Sequence, residues 1–271
     1  MNNEKFMVTI FDVGQGDTTL IRNIPNSHSA LIDLKCWHSI KPHIMDLGEL
    51  KVLFITHWHT DHISGISHLL SSIEKNTIDK LPIFINPKFI KNKTANSIKR
   101  AIHEALEMGI IKLVPAYSDQ DNCDIDMLNA KFKIIWPPYS RFVVDPEKEN
   151  NNSIVIRFDT KNFKILFGGD AGGEVWQCMN KKCIKANVLK YPHHGAKLSE
   201  REGGICASEF LTDVQPNWVI ISCSKNNNYD HPSEELKEAE KEYKDIKFLY
   251  TFNGNIDINI DGPHTSVGYA I

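Results

Sequence analysis

The apolar positions along the chain form short runs that predict an alternation of strands and helices. Four runs have the length and the β-branched or aromatic content of buried strands, and they lie at residues 6–11, 52–55, 82–86 and 131–136. Residues 94–108 instead carry apolar side chains at helical spacing, and Gly109 follows as a C-terminal stop. Residues 154–158 and 163–167 are strand-like runs around a polar turn, which predicts a hairpin. This alternation indicates an α/β layered fold.

The polar stretch at residues 139–153 is where the chain could divide into two domains, since 271 residues allow one large or two ordinary domains. The strands on either side read as one continuing sheet system. We therefore expect a surface loop here and a single domain over residues 1–271.

Composition narrows the class of protein. Apolar residues make up 41% of the chain and charged residues 24%, which is typical of a soluble globular protein. A net charge of −3 excludes a globally basic nucleic-acid-binding surface, although a local basic patch is compatible with it. The six cysteines are scattered without a C-x-x-C pair, which indicates reduced thiols. Without a leader or a long apolar run, we expect a cytoplasmic protein that does not enter a membrane.

The densest chemical feature is the pattern H-x-H-x-D-H at residues 57–62. It follows the strand-like run 52–55 and precedes residues 63–70, which have helical spacing. His57 and His59 lie two apart on extended chain, so both rings point the same way and can bind one cation. Asp61 and His62 fall in the first helical turn, where the dipole favours the carboxylate and a neutral imidazole. Because neighbouring helical residues diverge by about 100°, these two are better placed for a second metal.

Further ligand-type residues follow other predicted strands. Asp170 comes after Gly168-Gly169, where the backbone leaves room for a metal, and a phosphate-binding loop is a weak competing interpretation. His193 and His194 form a second imidazole cluster. His231 precedes a helix that Ser233 can cap, so it either faces the site or belongs to the cap. Asp33 ends a strand and is either an ordinary strand-end residue or a support for a ligand.

These segments together resemble the metallo-β-lactamase superfamily, and within it the hydrolase domain of the ComEC-type DNA-uptake competence protein and its stand-alone relatives. They occur in the family's order over roughly residues 8–235. The matching segments are Asp12–Asp17, Leu31–Asp33, Thr56–His62, Asn151–Val155, Phe167–Ala171, Leu189–Gly195 and Asp230–Pro232.

The resemblance implies an αββα sandwich, in which two mixed β-sheets pack face to face with helices outside and a metal site at one edge. It implies two divalent ions, Zn²⁺ or Mn²⁺. His57 and His59 would bind the first ion and Asp61 and His62 the second. Asp170 would bridge both ions.

The remaining histidines have less defined implied roles. One of His193 and His194 would complete the second site or donate a proton, with His194 favoured as the ligand. His231 would ligate a metal or contact the substrate. Asn152 stands where many members of the superfamily have a third histidine, and its amide oxygen suits a harder ion such as Mn²⁺ better than Zn²⁺.

The leading functional hypothesis is a binuclear metal-dependent hydrolase of phosphodiesters, a nuclease or phosphodiesterase that acts on DNA or nucleotides. Asp61 could also orient the nucleophile, and His193 or His231 could protonate the leaving group. Lys190, Lys197 and Lys225 flank the predicted site and are either phosphate-binding residues or ordinary solvated lysines.

Two alternatives stay open. The substrate could be another ester, namely a phosphocholine ester, a lactam or a thioester, or the chain could be a metal-binding regulatory module without turnover. The loops expected to select the substrate, 139–153 and 196–206, carry no recognisable code, and a protein partner is possible without being identified by the sequence.

Overall fold

A computed structural model of the protein describes residues 4–44, 49–73, 79–87, 93–119, 123–139, 149–199 and 203–270. Its strands are β1 (Lys5–Ile10), β2 (Thr18–Asn23), β3 (His28–Leu34), β4 (Leu50–Ile55), β5 (Leu81–Ile85), β6 (Ile111–Pro115), β7 (Asp124–Met127), β8 (Ala130–Trp136), β9 (Val155–Asp159), β10 (Lys164–Phe167), β11 (Val188–Lys190), β12 (Trp218–Ile221), β13 (Lys247–Tyr250), β14 (Ile256–Asp261) and β15 (His264–Tyr269). Its α-helices are α1 (Trp37–Ile40), α2 (Thr60–Ile63), α3 (Ile66–Ser72), α4 (Lys93–Glu107), α5 (Gly173–Cys178), α6 (Ala207–Val214) and α7 (Glu234–Glu242).

The strands form two mixed sheets. The first has the order β15-β14-β1-β2-β3-β4-β5-β6, and the second has the order β13-β12-β11-β10-β9-β8-β7. Parallel pairs such as β3–β4 and β11–β12 occur beside antiparallel pairs such as β1–β2 and β9–β10. The first sheet also takes in β14, which returns from the end of the chain to pair with β1.

Alternate side chains of the same strand fill different layers. In β4, Val52 and Phe54 belong to the core between the sheets, whereas Leu53 and Ile55 belong to the apolar layer outside the first sheet. Both faces of this strand are therefore buried, which explains why it reads as a continuous apolar run. Full burial of one such phenylalanine contributes roughly 1.5–3 kcal/mol to stability.

The helices cover the outer faces of the two sheets. One apolar cluster joins α1, α2, α3 and α4 to the first sheet. Another joins α5, α6 and α7 to the second sheet. This arrangement confirms the predicted αββα sandwich.

Most of the local predictions are confirmed. Helix α4 matches the predicted helix, and Gly109 follows it with a left-handed φ of 72°. Strands β9 and β10 form the predicted antiparallel hairpin. Strands β8 and β9 also pair with each other, so the stretch between them connects two strands of one sheet. Of the loops expected to select the substrate, residues 140–148 and 200–202 lie outside the described residues.

The helical segment after the H-x-H-x-D-H motif differs from its prediction, because it is broken into α2 and α3 at Gly65. The Gly65 amide donates a hydrogen bond to the backbone oxygen of Leu34 at 2.8 Å. A β-carbon at this position would lie 2.8 Å from the backbone nitrogen of Trp37. The close approach of this distant segment therefore interrupts a helix that the apolar spacing alone would continue.

Within the part of the chain that the structure describes, no helix has the length and apolar character needed to cross a bilayer.

Candidate metal centre

The predicted ligands meet at one edge of the sandwich, where strands of both sheets end. His57 and His59 follow β4 of the first sheet. Asp170 follows β10 of the second sheet, and His194 follows β11. The parallel pairing of β10 with β11 brings the last two to the same edge.

One group of ligand atoms comes from His57, His59 and Asp170, and these atoms all lie within 4.8 Å of one another. The His57 Nε2 atom is 3.0 Å from the Nδ1 atom of His59 and 3.5 Å from an oxygen of Asp170. His57 is buried, whereas the side chain of His59 is 38% exposed and its Nε2 atom lies 3.3 Å from Glu149. The two histidines therefore converge as the spacing predicts.

A second group comes from Asp17, His62, Asp170 and His194, again with all ligand atoms within 4.8 Å. All four residues are buried. The Nε2 atom of His62 lies 3.2 Å from Asp170 and 3.3 Å from the Nε2 atom of His194. Asp61 lies beside this group, with a carboxylate oxygen 3.3 Å from the same His194 atom.

Asp170 belongs to both groups, which is the position that a bridging ligand requires. Its amide donates a hydrogen bond to the Ser153 hydroxyl at 3.0 Å. Gly169 before it has a φ of 51°, and a β-carbon there would lie 2.9 Å from the β-carbon of Ser153. Glycine is therefore needed for the close approach that places this carboxylate.

Asp33 supports the second group from behind. One of its oxygens accepts a hydrogen bond from the Thr56 amide at 2.8 Å. The other accepts from the Thr56 hydroxyl at 2.6 Å and lies 2.7 Å from the Nδ1 atom of His62. The carboxylate thereby fixes the ring so that Nε2 points into the cluster, which is the arrangement that supports metal-ligating histidines.

The histidines and carboxylates of the cluster shift one another's pKa values. Burial lowers the pKa of His62, but the carboxylates of Asp170 and Asp33 outweigh burial and raise the pKa well above its usual value. Burial raises the pKa of Asp170, but His62, His194 and His57 outweigh it and hold the pKa well below its usual value. In the metal-free chain the two carboxylates therefore oppose the effect that the helix dipole alone would have on His62. A bound divalent cation would take the place of that proton.

The donor set fits divalent metal ions, since buried imidazole nitrogens and carboxylate oxygens converge in two groups that share one residue. Asn152 is also buried, and its side-chain oxygen has no hydrogen-bond partner among the described residues. A buried polar atom of this kind normally has a partner, so the amide oxygen is suited to a cation.

His193 and His231 lie on the wall of the cavity rather than in the two ligand groups. The Nε2 atom of His193 is 4.0 Å from Asp170, and the rings of His193 and His231 are 5.5 Å apart. Burial, followed by the nearby His193 and His194, lowers the pKa of His231 to about 4. His193 and His194 both have left-handed backbone conformations, with φ of 50° and 56°. Such conformations cost about 1–3 kcal/mol each and concentrate at functional sites.

The cluster opens into a cavity of about 640 Å³. Besides the ligands, its lining includes Gln15, Lys35, Asn150 and Tyr229. The Lys35 ammonium donates a hydrogen bond to the backbone oxygen of Gln15. The Gln15 amide group lies 3.3 Å from the Nδ1 atom of His231. The glycine-flanked turn near the start of the chain therefore forms part of the cavity wall.

The phosphate-binding prediction for Lys190 does not fit its position. Its side chain is buried, and the ammonium lies 2.8 and 2.9 Å from the two carboxylate oxygens of Asp17. Lys197 and Lys225 are exposed and do not line the cavity. Of the lysines that the structure describes, Lys35 lines the cavity.

Sequence reasoning missed several residues of the site, namely Asp17, Gln15, Lys35, Glu149, Asn150 and Tyr229. Asp17 ends the Gly14-Gln15-Gly16 turn, and Gly16 has a φ of 137°. A β-carbon on Gly16 would lie 2.3 Å from the backbone oxygen of Asp61. The two closely spaced glycines were the available signal that this turn packs tightly against another segment.

Comparison with known proteins agrees with this geometry, although no family model matches the chain. The chain is 28% identical over 275 aligned residues to ComE operon protein 3 of Bacillus subtilis (strain 168). The alignment covers 92% of this chain and 32% of the relative, so the chain spans about a third of that protein's length.

Solved structures show the same fold. The metallo-β-lactamase fold protein YhfI from Bacillus subtilis superposes with a TM-score of 0.59 at 13% identity, covering 97% of this chain and 100% of that one. A diphosphatase from the PhnP family superposes with a TM-score of 0.59 at 11% identity, covering 94% and 98%. The chain therefore has the metallo-β-lactamase fold and is similar in sequence to a portion of ComE operon protein 3 of Bacillus subtilis.

Proposed function

We propose that this chain is a binuclear metal-dependent hydrolase of phosphodiesters that acts on DNA or nucleotides. The observation that carries the proposal is the position of Asp170, which is shared by two buried groups of ligand atoms at the floor of an open cavity. Two adjacent divalent ions at such a site would acidify a water molecule and stabilise charge on a phosphoryl group. A diphosphatase with the same fold supports the coarser part of the proposal, which is hydrolysis at a phosphoryl group.

The ligands that the chain offers favour specific assignments. His57 and His59, with Asp170, would hold the first ion, and Asn152 would supply a weaker oxygen donor beside them. His62 and His194, with Asp170, would hold the second. Imidazole-rich sites suit Zn²⁺, whereas an amide oxygen in place of a third imidazole suits Mn²⁺, so both are candidates.

Other residues would act on the substrate directly. Asp61 lies at the edge of the second group, where its carboxylate can orient the attacking water. His193 and His231 line the cavity and, since the pKa of each is lowered, would act as neutral imidazoles that donate hydrogen bonds to the phosphate or the leaving oxygen. Lys35 would provide the positive charge that draws an anionic substrate to the cavity.

The test is hydrolysis of bis-p-nitrophenyl phosphate and of single- and double-stranded DNA, with Zn²⁺, Mn²⁺ and Mg²⁺ compared side by side. We expect metal-dependent turnover that both variants reduce by roughly 100-fold or more, because Asp170→Ala removes the shared metal ligand and Asp61→Ala removes the carboxylate that would orient the attacking water. Asp126→Asn is the control, because the side chain of Asp126 is 81% exposed and does not belong to the cavity lining.

Several results would contradict the proposal. Unchanged activity in the Asp61→Ala and Asp170→Ala variants would place the chemistry elsewhere. Turnover only of a phosphocholine ester, a lactam or a thioester would keep the metal centre and change the substrate. Fewer than one bound ion per chain, with no hydrolysis of any diester, would favour a regulatory module without turnover.

A further inference from the structure

Tyr229 stands at the rim of the cavity with its side chain 66% exposed, although large aromatic side chains are usually covered. Its ring is stacked on that of His231, with ring centres 5.8 Å apart and planes inclined by 28°. His231 in turn lies 5.5 Å from His193 and 6.4 Å from His194, measured between ring centres. A series of rings therefore leads from the metal ligands to the rim, and Tyr229 is the outermost.

The loop that carries Tyr229 is held in a defined conformation. The side-chain oxygen of Asn227 accepts hydrogen bonds from the amides of Tyr229 at 3.0 Å and of His231 at 3.1 Å. Its side-chain nitrogen donates to the backbone oxygens of Ser224 at 2.9 Å and of His231 at 2.5 Å. One asparagine thus ties both sides of the loop together. A substrate that binds the tyrosine meets a preorganised surface and loses less entropy.

We propose that Tyr229 is the platform on which a nucleobase of the substrate stacks, so that the site selects phosphodiesters that carry a base beside the phosphate. The inference rests on the proposed phosphodiesterase function and names its substrate class. An exposed aromatic face at the rim binds the base, while the ligand cluster and Lys35 hold the phosphate. Stacking of this kind contributes about 1–3 kcal/mol per base and tolerates any base sequence.

The small number of aromatic side chains in the lining argues against a quaternary ammonium headgroup at the same place. Such a group is normally enclosed by several aromatic side chains. Among the described residues that line the cavity, Tyr229 is the one aromatic residue besides the histidines. Lys35 in the same wall would repel a quaternary ammonium group and attract a phosphate. A neutral base joined to a phosphate fits both features.

The experiment compares Tyr229→Ala, Tyr229→Phe and Tyr229→Trp on two substrates of equal length and charge, a short oligothymidylate and the same backbone with abasic residues. From the stacking energy, we expect Tyr229→Ala to raise KM for the oligothymidylate by roughly 5- to 150-fold with little change in kcat. The abasic substrate is expected to respond less than 2-fold, and Phe and Trp should restore KM. Tyr269→Ala is the control, because Tyr269 is 39% exposed and lies outside the cavity lining.

Binding of both oligonucleotides, measured by fluorescence anisotropy with Mn²⁺ present, separates this inference from the proposed function. If no diester is hydrolysed but Tyr229→Ala still weakens binding of the oligothymidylate alone, the platform stands and the hydrolase proposal fails. If Tyr229→Ala loses equal affinity for both oligonucleotides, or loses none for either, the stacking role of Tyr229 is overturned. If Tyr229→Ala loses affinity for a phosphocholine ester alone, the stacking role is also overturned, and Tyr229 would instead bind a quaternary ammonium headgroup.

Discussion

Replacing Lys190 with methionine tests the buried ion pair that supports the second ligand group. The ammonium lies 2.8 Å from Asp17, and the two side chains are only 4% and 8% exposed. At an effective dielectric constant of about 20, this attraction amounts to roughly 6 kcal/mol, part of which offsets the cost of burying both charges. Methionine keeps most of the side-chain volume but leaves the buried Asp17 carboxylate with the more distant His194 imidazole, at 3.8 Å, in place of the ammonium.

We therefore expect Lys190→Met to lower the free energy of unfolding by about 3–5 kcal/mol. The double variant Asp17→Asn with Lys190→Met removes both charges, and we expect it to recover at least half of that loss. Lys5→Met is the control, because its pair with Asp261 is half exposed and contributes about 0–1 kcal/mol.

Urea denaturation followed by tryptophan fluorescence provides the measurement. It should be run with EDTA, because a bound metal would add its own stabilisation to the native state. A loss below 1 kcal/mol in Lys190→Met would refute the reasoning, since the pair would then be as weak as one in solvent. A double variant that is as unstable as the single one would show that packing of the lysine, rather than charge, determines the effect.

Three further predictions address the surroundings of the centre. Asp33→Ala should weaken metal binding about 10- to 100-fold, because the carboxylate that orients the His62 ring is lost. Competition with a chromophoric chelator measures the affinity, and an unchanged affinity would contradict this prediction. Gly16→Ala should abolish metal binding and destabilise the fold, whereas Gly262→Ala, which also has positive φ but open space around it, should cost only about 1–2 kcal/mol in urea denaturation. Cys223 is buried and its pKa is raised to about 11, so the folded chain holds the thiol proton more tightly than the unfolded chain and this group's contribution to stability falls as pH rises from 9 to 11. Mass spectrometry after alkylation at pH 9 should find it unmodified in the folded protein, and rapid modification would contradict its burial.

The strands and the ligand motif could be predicted because their signals are local. The side chains of β4 alternate between two apolar layers, so the six-residue strand contains a continuous apolar run at residues 52–55. The spacing of His57 and His59 is also local, since extended backbone alone brings their rings together. The sandwich itself came from the resemblance, because no local pattern shows that β14 returns to pair with β1.

The missed features depend on contacts between distant segments. Lys190 lies close to the His193-His194 pair in sequence, yet its partner Asp17 lies 173 positions earlier in the chain. Gly65 breaks a helix because the segment at Leu34 and Trp37 packs against it. Tyr229 carries no signal in sequence, since its importance comes from stacking on His231 at a rim that only the folded chain forms.

The division of the ligands between the two sheets has a mechanical consequence. His57 and His59 are anchored to the first sheet, and Asp170 and His194 are anchored to the second. Any sliding of one sheet over the other changes the separations of the donor atoms. An ion bound there would therefore oppose relative movement of the two sheets. Metal affinity then depends on how the two sheets are aligned. A substitution such as Phe158→Leu, in the core between the sheets, would change the metal affinity without contacting a ligand.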